Sequence, residues 1–194
     1  MQNKKALFWS GGLSSLSCLK HLIKNGCSKN EIILITLLSK EANEVGYTGI
    51  PEEIISLQAR YMGMKLVRLY NNELSNKVVI KLKEQGYQFY SGQRNEKFTK
   101  QLAIADININ TPFMGLAYTE FLEDQNNRAI LTSVDREDQQ RFLGKELRDI
   151  DIDFNEMDID TFVIFDPLMR IRIPFSKNII VEKDNHFICK IRNV

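Results

Sequence analysis

Short apolar runs alternate with amphipathic stretches through the first half of the chain. Residues 6–9 (ALFW) are four consecutive apolar positions, the pattern of a strand buried on both faces. Leu13, Leu16, Leu19 and Ile23 then recur at helical spacing and stop at Gly26, a residue suited to the position just past a helix. The pair of patterns repeats. Residues 32–38 (IILITLL) predict a second strand, and residues 51–63 predict a helix with Pro51 and two acids in its first turn and Gly63 at its end. A third strand is predicted at 65–70, a helix at 74–86, a fourth strand at 87–92 and a further helix at 96–106. Strand and helix in alternation predict an α/β fold, an open parallel sheet flanked by helices.

The pattern changes at TPFMG (111–115). A short helix at 118–125 and a strand at 128–134 lead through an acidic tract into four predicted strands at 160–165, 168–173, 178–182 and 186–191. Lys183-Asp184-Asn185 supplies turn chemistry between the last two. The expected organisation is an α/β domain at 1–111 and a smaller C-terminal α+β lobe at 112–194. No low-complexity linker separates them, so a shared interface is expected.

Composition narrows the possibilities. At 194 residues, 43% hydrophobic and 26% charged, the chain can bury a substantial core. A net charge of +1 without a long basic run argues against a nucleic-acid partner. No stretch approaches the roughly 20 apolar residues of a membrane helix, so a cytoplasmic protein is expected. Cys18, Cys27 and Cys189 are odd in number and form no C-x-x-C pair, which predicts idle, buried thiols in a reducing compartment. His21 and His186 lie far apart and read as surface or half-buried imidazoles.

The chemistry concentrates where the first strand meets the first helix, at Ser10-Gly11-Gly12-Leu13-Ser14-Ser15. Two readings fit. In one, Gly11 and Gly12 let backbone N–H groups approach an anion, Ser10, Ser14 and Ser15 add hydroxyl donors, and the helix offers its positive end. In the other, the loop is a tight turn with a serine cap and no ligand. The Walker lysine and the G-x-G-x-x-G fingerprint are both missing.

The stretch FWSGGLSS resembles the S-G-G-x-D-S loop of the PP-loop ATP pyrophosphatases, a Rossmann-like superfamily whose members cleave ATP to AMP and pyrophosphate while activating an acceptor oxygen. GIPEEIISLQARYMGMKLVRL (49–69), SGQRN (91–95), TPFMG, RAILTSVD (128–135), FLGKEL (142–147) and IDTFVIFDPLMRIRIPF (159–175) follow in the order of the diphthine ammonia ligase-like branch. The resemblance implies ATP and Mg²⁺ as cofactors and ATP-dependent adenylation or amidation of an unknown acceptor. Its nucleotide site would comprise Trp9, Ser10, Gly11, Gly12, Ser14, Ser15, Thr36, Leu37, Gly92, Gln93 and Arg94. Trp9 would flank the adenine, the Thr36-Leu37 backbone would read it, and Arg94 and Lys145 would meet phosphates.

Three departures bear on chemistry. The loop aspartate is Ser14, the family's G-D pair is Gly92-Gln93, and the block G-E-N-G-E-x-H-T aligns with FNEMDIDT (154–161), which keeps only Thr161. Ser14, Asp135 and Asp158 are the catalytic candidates. Asp149, Asp151 and Asp153 open like a calcium loop, but Phe154 stands where glycine is needed, so the tract reads as an edge strand or solvated turn and no metal site is named. An impaired nucleotide-binding or partner-binding module of the same fold is the rival reading. Expected partners are an adenine nucleotide and the acceptor, with a homodimer left open and neither membrane nor nucleic acid.

Overall fold

The computed structural model describes residues 4–46, 48–70, 73–94, 107–122, 126–151, 153–154 and 158–194. Five parallel strands form the first sheet: β1 (Lys5–Phe8), β2 (Ile32–Leu38), β5 (Lys65–Tyr70), β6 (Gln88–Ser91) and β7 (Ile109–Asn110). They lie in the order β5-β2-β1-β6-β7. Two short strands that hydrophobic patterning does not reveal, β3 (Glu44–Val45) and β4 (Ile50–Pro51), extend β2 in antiparallel fashion. In chain order the parallel strands run outward from β1 in one direction and then in the other. The crevice at the carboxyl ends of β1 and β6 is therefore the point where the winding reverses, the place where open α/β sheets bind ligands.

Period-2 alternation gives β1 and β2 two buried faces. Leu7, Ile32 and Leu34 pack with Leu13, Leu16 and Leu19 of α1 (Leu13–Lys24) and with Ile54, Ile55 and Ala59 of α2 (Glu52–Tyr61). Ala6, Phe8, Ile33 and Ile35 face the other way, toward Val78, Val79 and Leu82 of α3 (Glu73–Glu84). The helix predicted at 96–106 lies outside the described residues.

A second sheet, antiparallel throughout, has the order β10-β11-β8-β9, with β8 at Arg128–Val134, β9 at Ile159–Phe165, β10 at Ser176–Lys183 and β11 at His186–Arg192. Its inner residues, among them Ile130, Leu131, Phe162, Ile164 and Ile191, join the same hydrophobic cluster as α1 and α2. Asp184 and Asn185, with φ of 51° and 62°, form the two-residue turn between β10 and β11, the backbone twist that tight hairpins require.

Two expectations are corrected. The strand predicted at 168–173 is a turn: the Met169 N–H donates to the Asp166 carbonyl (2.9 Å), the Leu168 N–H donates to the Asp166 side chain (2.9 Å), and Arg170 has a φ of 63°. Pro167 favours that turn, and Met169 and Ile173 are buried as loop anchors, so the apolar spacing reflects a pinned loop. The helix predicted at 118–125 is a single 3-10 turn at Tyr118–Phe121, with 123–125 outside the described residues. Among the described residues, no helix is long and apolar enough to cross a membrane.

Candidate functional site

The chain leaves β1 at Phe8 and enters α1 at Leu13, and β9 crosses directly over the intervening loop. The Gly11 carbonyl accepts from the Val163 N–H (2.9 Å) and from Gln58 Nε2 (3.1 Å). The remaining Gln58 bonds reach the Val163 carbonyl (2.8 Å) and, through Oε1, the Trp9 indole N–H (2.7 Å). Every polar atom of this fully buried amide is thus engaged. A Cβ at Gly11, where φ is +81°, would lie 2.7 Å from Ile55 Cδ1 and 2.9 Å from Phe162 Cε2. One at Gly12 would lie 2.7 Å from the Thr161 carbonyl oxygen. Both glycines are required here for the close approach of β9, α2 and the loop.

Gly12 caps α1 without a side-chain hydrogen bond, and the first turn carries no acid. The Leu13 N–H donates to Thr161 Oγ1 at 3.2 Å. The next two amides, of Ser14 and Ser15, and the Ser14 hydroxyl have no hydrogen-bond partner among the described residues. The other two serines are occupied locally: Ser15 Oγ donates to the Gly12 carbonyl (2.9 Å), and Ser10 Oγ accepts from the Gly12 N–H (3.4 Å). From the other side of the winding reversal, Gly92 presses on this turn. A Cβ there would stand 2.0 Å from the Ser14 carbonyl oxygen.

These elements wall a cleft of about 580 Å³, within the usual range for a small-molecule site. Ile35, Leu37 and Val45 give it an apolar side, while Ser10, Gly12, Ser14, Ser15, Gly92, Gln93 and Arg94 line the loop side. Asp158, Asp160, Thr161, Asp184 and His186 enter from the second sheet, and Tyr118 from the 3-10 turn. His186 Nε2 lies 3.5 Å from Asp158, and its Nδ1 lies 3.1 Å from the Asp184 carbonyl. The Arg94 guanidinium sits 4.4 Å from the centre of the Tyr118 ring, a cation–π distance. Half-burial lowers its pKa from the ordinary arginine value, opposed by the field of Tyr118, Asp158 and Asp160, and at such a starting value it stays charged. Burial raises the Tyr118 phenol above its ordinary value, so this hydroxyl keeps its proton.

The cleft thus gathers Trp9, Ser10, Gly12, Ser14, Ser15, Leu37, Gly92, Gln93, Arg94 and Asp158 of the residues expected from the sequence. Trp9 reaches the wall but is only 2% exposed, its indole fixed by Gln58. Gly11 lies behind the wall, held by Val163 and Gln58. Thr36 is fully buried and does not line the cleft, and the Leu37 carbonyl already accepts from the Gly46 N–H (3.3 Å). Asp135 is exposed just past β8 and stays outside, as does Lys145, which lies over the Phe142 ring. The sequence reading omitted Gln58, Thr48, Tyr118, Thr161, Asp160, Asp184 and His186 from the site. Gln58 did leave a signal, a polar side chain on the buried stripe of Ile54, Ile55 and Ala59. Nothing local marks Tyr118 or the hairpin turn as part of the site, because only the tertiary fold returns them to β1.

Among the described residues, no group of three or more histidine, cysteine or acidic side chains is arranged to hold a metal ion. Cys18, Cys27 and Cys189 are free and buried, away from the cleft.

No family model and no curated protein matches the chain. Among solved structures, it is similar to a predicted subunit of tRNA methyltransferase from Methanocaldococcus jannaschii. The identity is 17%, the TM-score is 0.38, and the match covers 67% of this chain and 77% of that one.

Proposed function

We propose that the cleft binds an adenine nucleotide, its phosphates against the first turn of α1, in a protein of the PP-loop ATP pyrophosphatase type related to the diphthine ammonia ligase-like branch. The observation that carries this reading is the pair of Ser14 and Ser15 amides, without a partner among the described residues, at a helix start with no side-chain cap, in a cleft at the winding reversal of a parallel sheet. Arg94 supplies the fixed positive charge. Residues 1–111 contribute the nucleotide side, and residues 112–194 the acceptor side.

Mg²⁺ would enter on the nucleotide. The Ser14 hydroxyl and the Asp160 carboxylate, which both line the cleft, are the hard oxygen donors that Mg²⁺ would take. In the active form, an acceptor oxygen would displace pyrophosphate from the α-phosphorus, and a nucleophile such as ammonia would then attack the adenylated acceptor, its new bond to the acceptor replacing the acceptor–oxygen bond as AMP leaves. Asp158 and Asp184, from the second-sheet side of the cleft, would favour a cationic or amine-bearing acceptor.

A second reading, an impaired nucleotide-binding module, is favoured by Ser14 and Gln93, neutral where the resembling family carries carboxylates. Calorimetry with ATP and Mg²⁺, joined to a pyrophosphate-release assay on wild type and Ser14→Asp, separates the two. Binding with release supports the enzyme. Binding without release in wild type supports the module, and release gained by Ser14→Asp would trace the impairment to that residue. No binding of ATP, ADP or AMP at millimolar concentration refutes both.

A further inference from the structure

Three buried groups meet where β9 crosses the start of α1, and their protons do not balance. Thr161 Oγ1 accepts from the Leu13 N–H at 3.2 Å and lies 2.8 Å from the Tyr118 hydroxyl, which donates to it. That direction has a chemical cause. A phenol is the more acidic hydroxyl and the better donor, while the alkyl hydroxyl of threonine is the better acceptor. Thr161 then has both lone pairs occupied and its own proton left over. No hydrogen bond from that proton exists among the described residues. Thr161 and Tyr118 are only 5% and 2% exposed, and both line the cleft. A buried hydroxyl proton without an acceptor is costly, so the arrangement is complete only when something in the cleft accepts.

What would accept is indicated by the neighbours. The Arg94 guanidinium lies 4.4 Å from the centre of the Tyr118 ring, and Ser14 and Ser15, whose amides have no partner among the described residues, line the same cleft. This corner offers several donors. The fields of Asp158 and Asp160 favour the charged form of Arg94, so this corner keeps its positive charge despite the half-burial.

We propose that Thr161, from the second sheet, is a ligand-binding residue that donates its hydroxyl proton to a phosphate oxygen of the nucleotide, while Tyr118 only orients it. The inference rests on the nucleotide reading above and extends it. The phosphate site is a composite of both sheets, and the β9 residue that caps α1 is also a ligand contact.

Titration calorimetry on the full chain, with ATP, AMP, adenosine and pyrophosphate as probes, tests this on Thr161→Val, Thr161→Ser and Tyr118→Phe. Thr161→Val is expected to lose at least about tenfold in affinity for ATP, AMP and pyrophosphate, the scale of one hydrogen bond to a charged group. It is expected to leave adenosine binding within about twofold. Thr161→Ser should restore wild-type affinity, and Tyr118→Phe should stay within about threefold, because Thr161 keeps its proton without the phenol. Thermal melts of each variant separate lost binding from lost fold. Equal losses in Thr161→Val and Tyr118→Phe would overturn the proposal, since the pair would then act only as a structural bond. Wild-type phosphate affinity in Thr161→Val would overturn it as well, as would a loss that extends equally to adenosine. If the wild type binds ATP normally while Thr161→Val does too, this inference alone falls. If the wild type binds none of the probes, the nucleotide reading falls with it.

Discussion

Replacing Gly92 by alanine probes the junction on which the site depends. The added methyl would stand 2.0 Å from the Ser14 carbonyl oxygen, 2.4 Å from its carbon and 2.8 Å from the Ser15 nitrogen. All three are backbone atoms, so no rotamer change relieves the clash. Reaching an ordinary 3.4 Å contact requires the end of β6 and the first turn of α1 to part by about 1.4 Å. Overpacking costs about 1–3 kcal/mol where side chains can yield, and a backbone obstacle puts this case at about 3 kcal/mol. In a chain of this size each kcal/mol lowers Tm by about 2–4 °C, so a drop of about 6–12 °C is expected. Since the displaced turn carries the Ser14 and Ser15 amides, ATP affinity should fall in the same variant. Thermal denaturation and calorimetry measure the two effects. Gly63→Ala is the control: its φ of +67° strains alanine, but nothing lies within 4 Å of the new Cβ. A Gly92→Ala protein that melts within about 1 °C of wild type would refute the close approach of β6 to α1.

Gln58→Leu should cost about 3 kcal/mol in urea denaturation, because it leaves the Trp9 indole N–H and the Val163 carbonyl buried without their partners. The Gly11 carbonyl keeps its bond from Val163, so the loop itself should survive. A second expectation concerns acid stability. Burial alone would raise the Glu146 carboxyl, but hydrogen bonds and charge from Arg128, then Arg148, hold it below its ordinary range. A depressed carboxylate contributes stability that is present above its unfolded pKa and lost as pH falls through the folded one. Wild-type stability should therefore decline from about pH 4.5 downward, while Glu146→Gln should be weaker at pH 7 and show a flatter acid limb. Parallel acid limbs in urea titrations would contradict this.

The parallel sheet was legible because β2 and β5 are unbroken apolar or alternating runs and their observed bounds, Ile32–Leu38 and Lys65–Tyr70, are those that the pattern predicts. The turn before β11 was legible from Asp184-Asn185, residues that tolerate left-handed backbone. Residues 168–173 misled because burial of Met169 and Ile173 mimics alternation, while the Asp166-Pro167 turn that overrides it acts through hydrogen bonds rather than hydropathy. At the site, one of the two readings of Gly11 and Gly12 makes them access for a phosphate. Their clearance is instead filled by Phe162 and Thr161, a contact between positions some 150 residues apart that no local pattern encodes. Asp135 directly follows one predicted strand and Asp158 stands just before another, yet only Asp158 meets the cleft, since β8 directs Asp135 to solvent.

The hydrophobic cluster that runs from Leu7 and Leu34 through α1 and α2 into Ile130, Phe162 and Ile191 governs how this chain can be handled as well as how it folds. Cutting between residues 111 and 112 would uncover Leu16 and Ile55 on one fragment and Phe162 and Ile164 on the other, and would strip Gln58 of its Val163 partner. Neither half is expected to be soluble when expressed alone. A nicked preparation should stay associated through gel filtration, and calorimetric melting of the intact chain should show one cooperative transition rather than two.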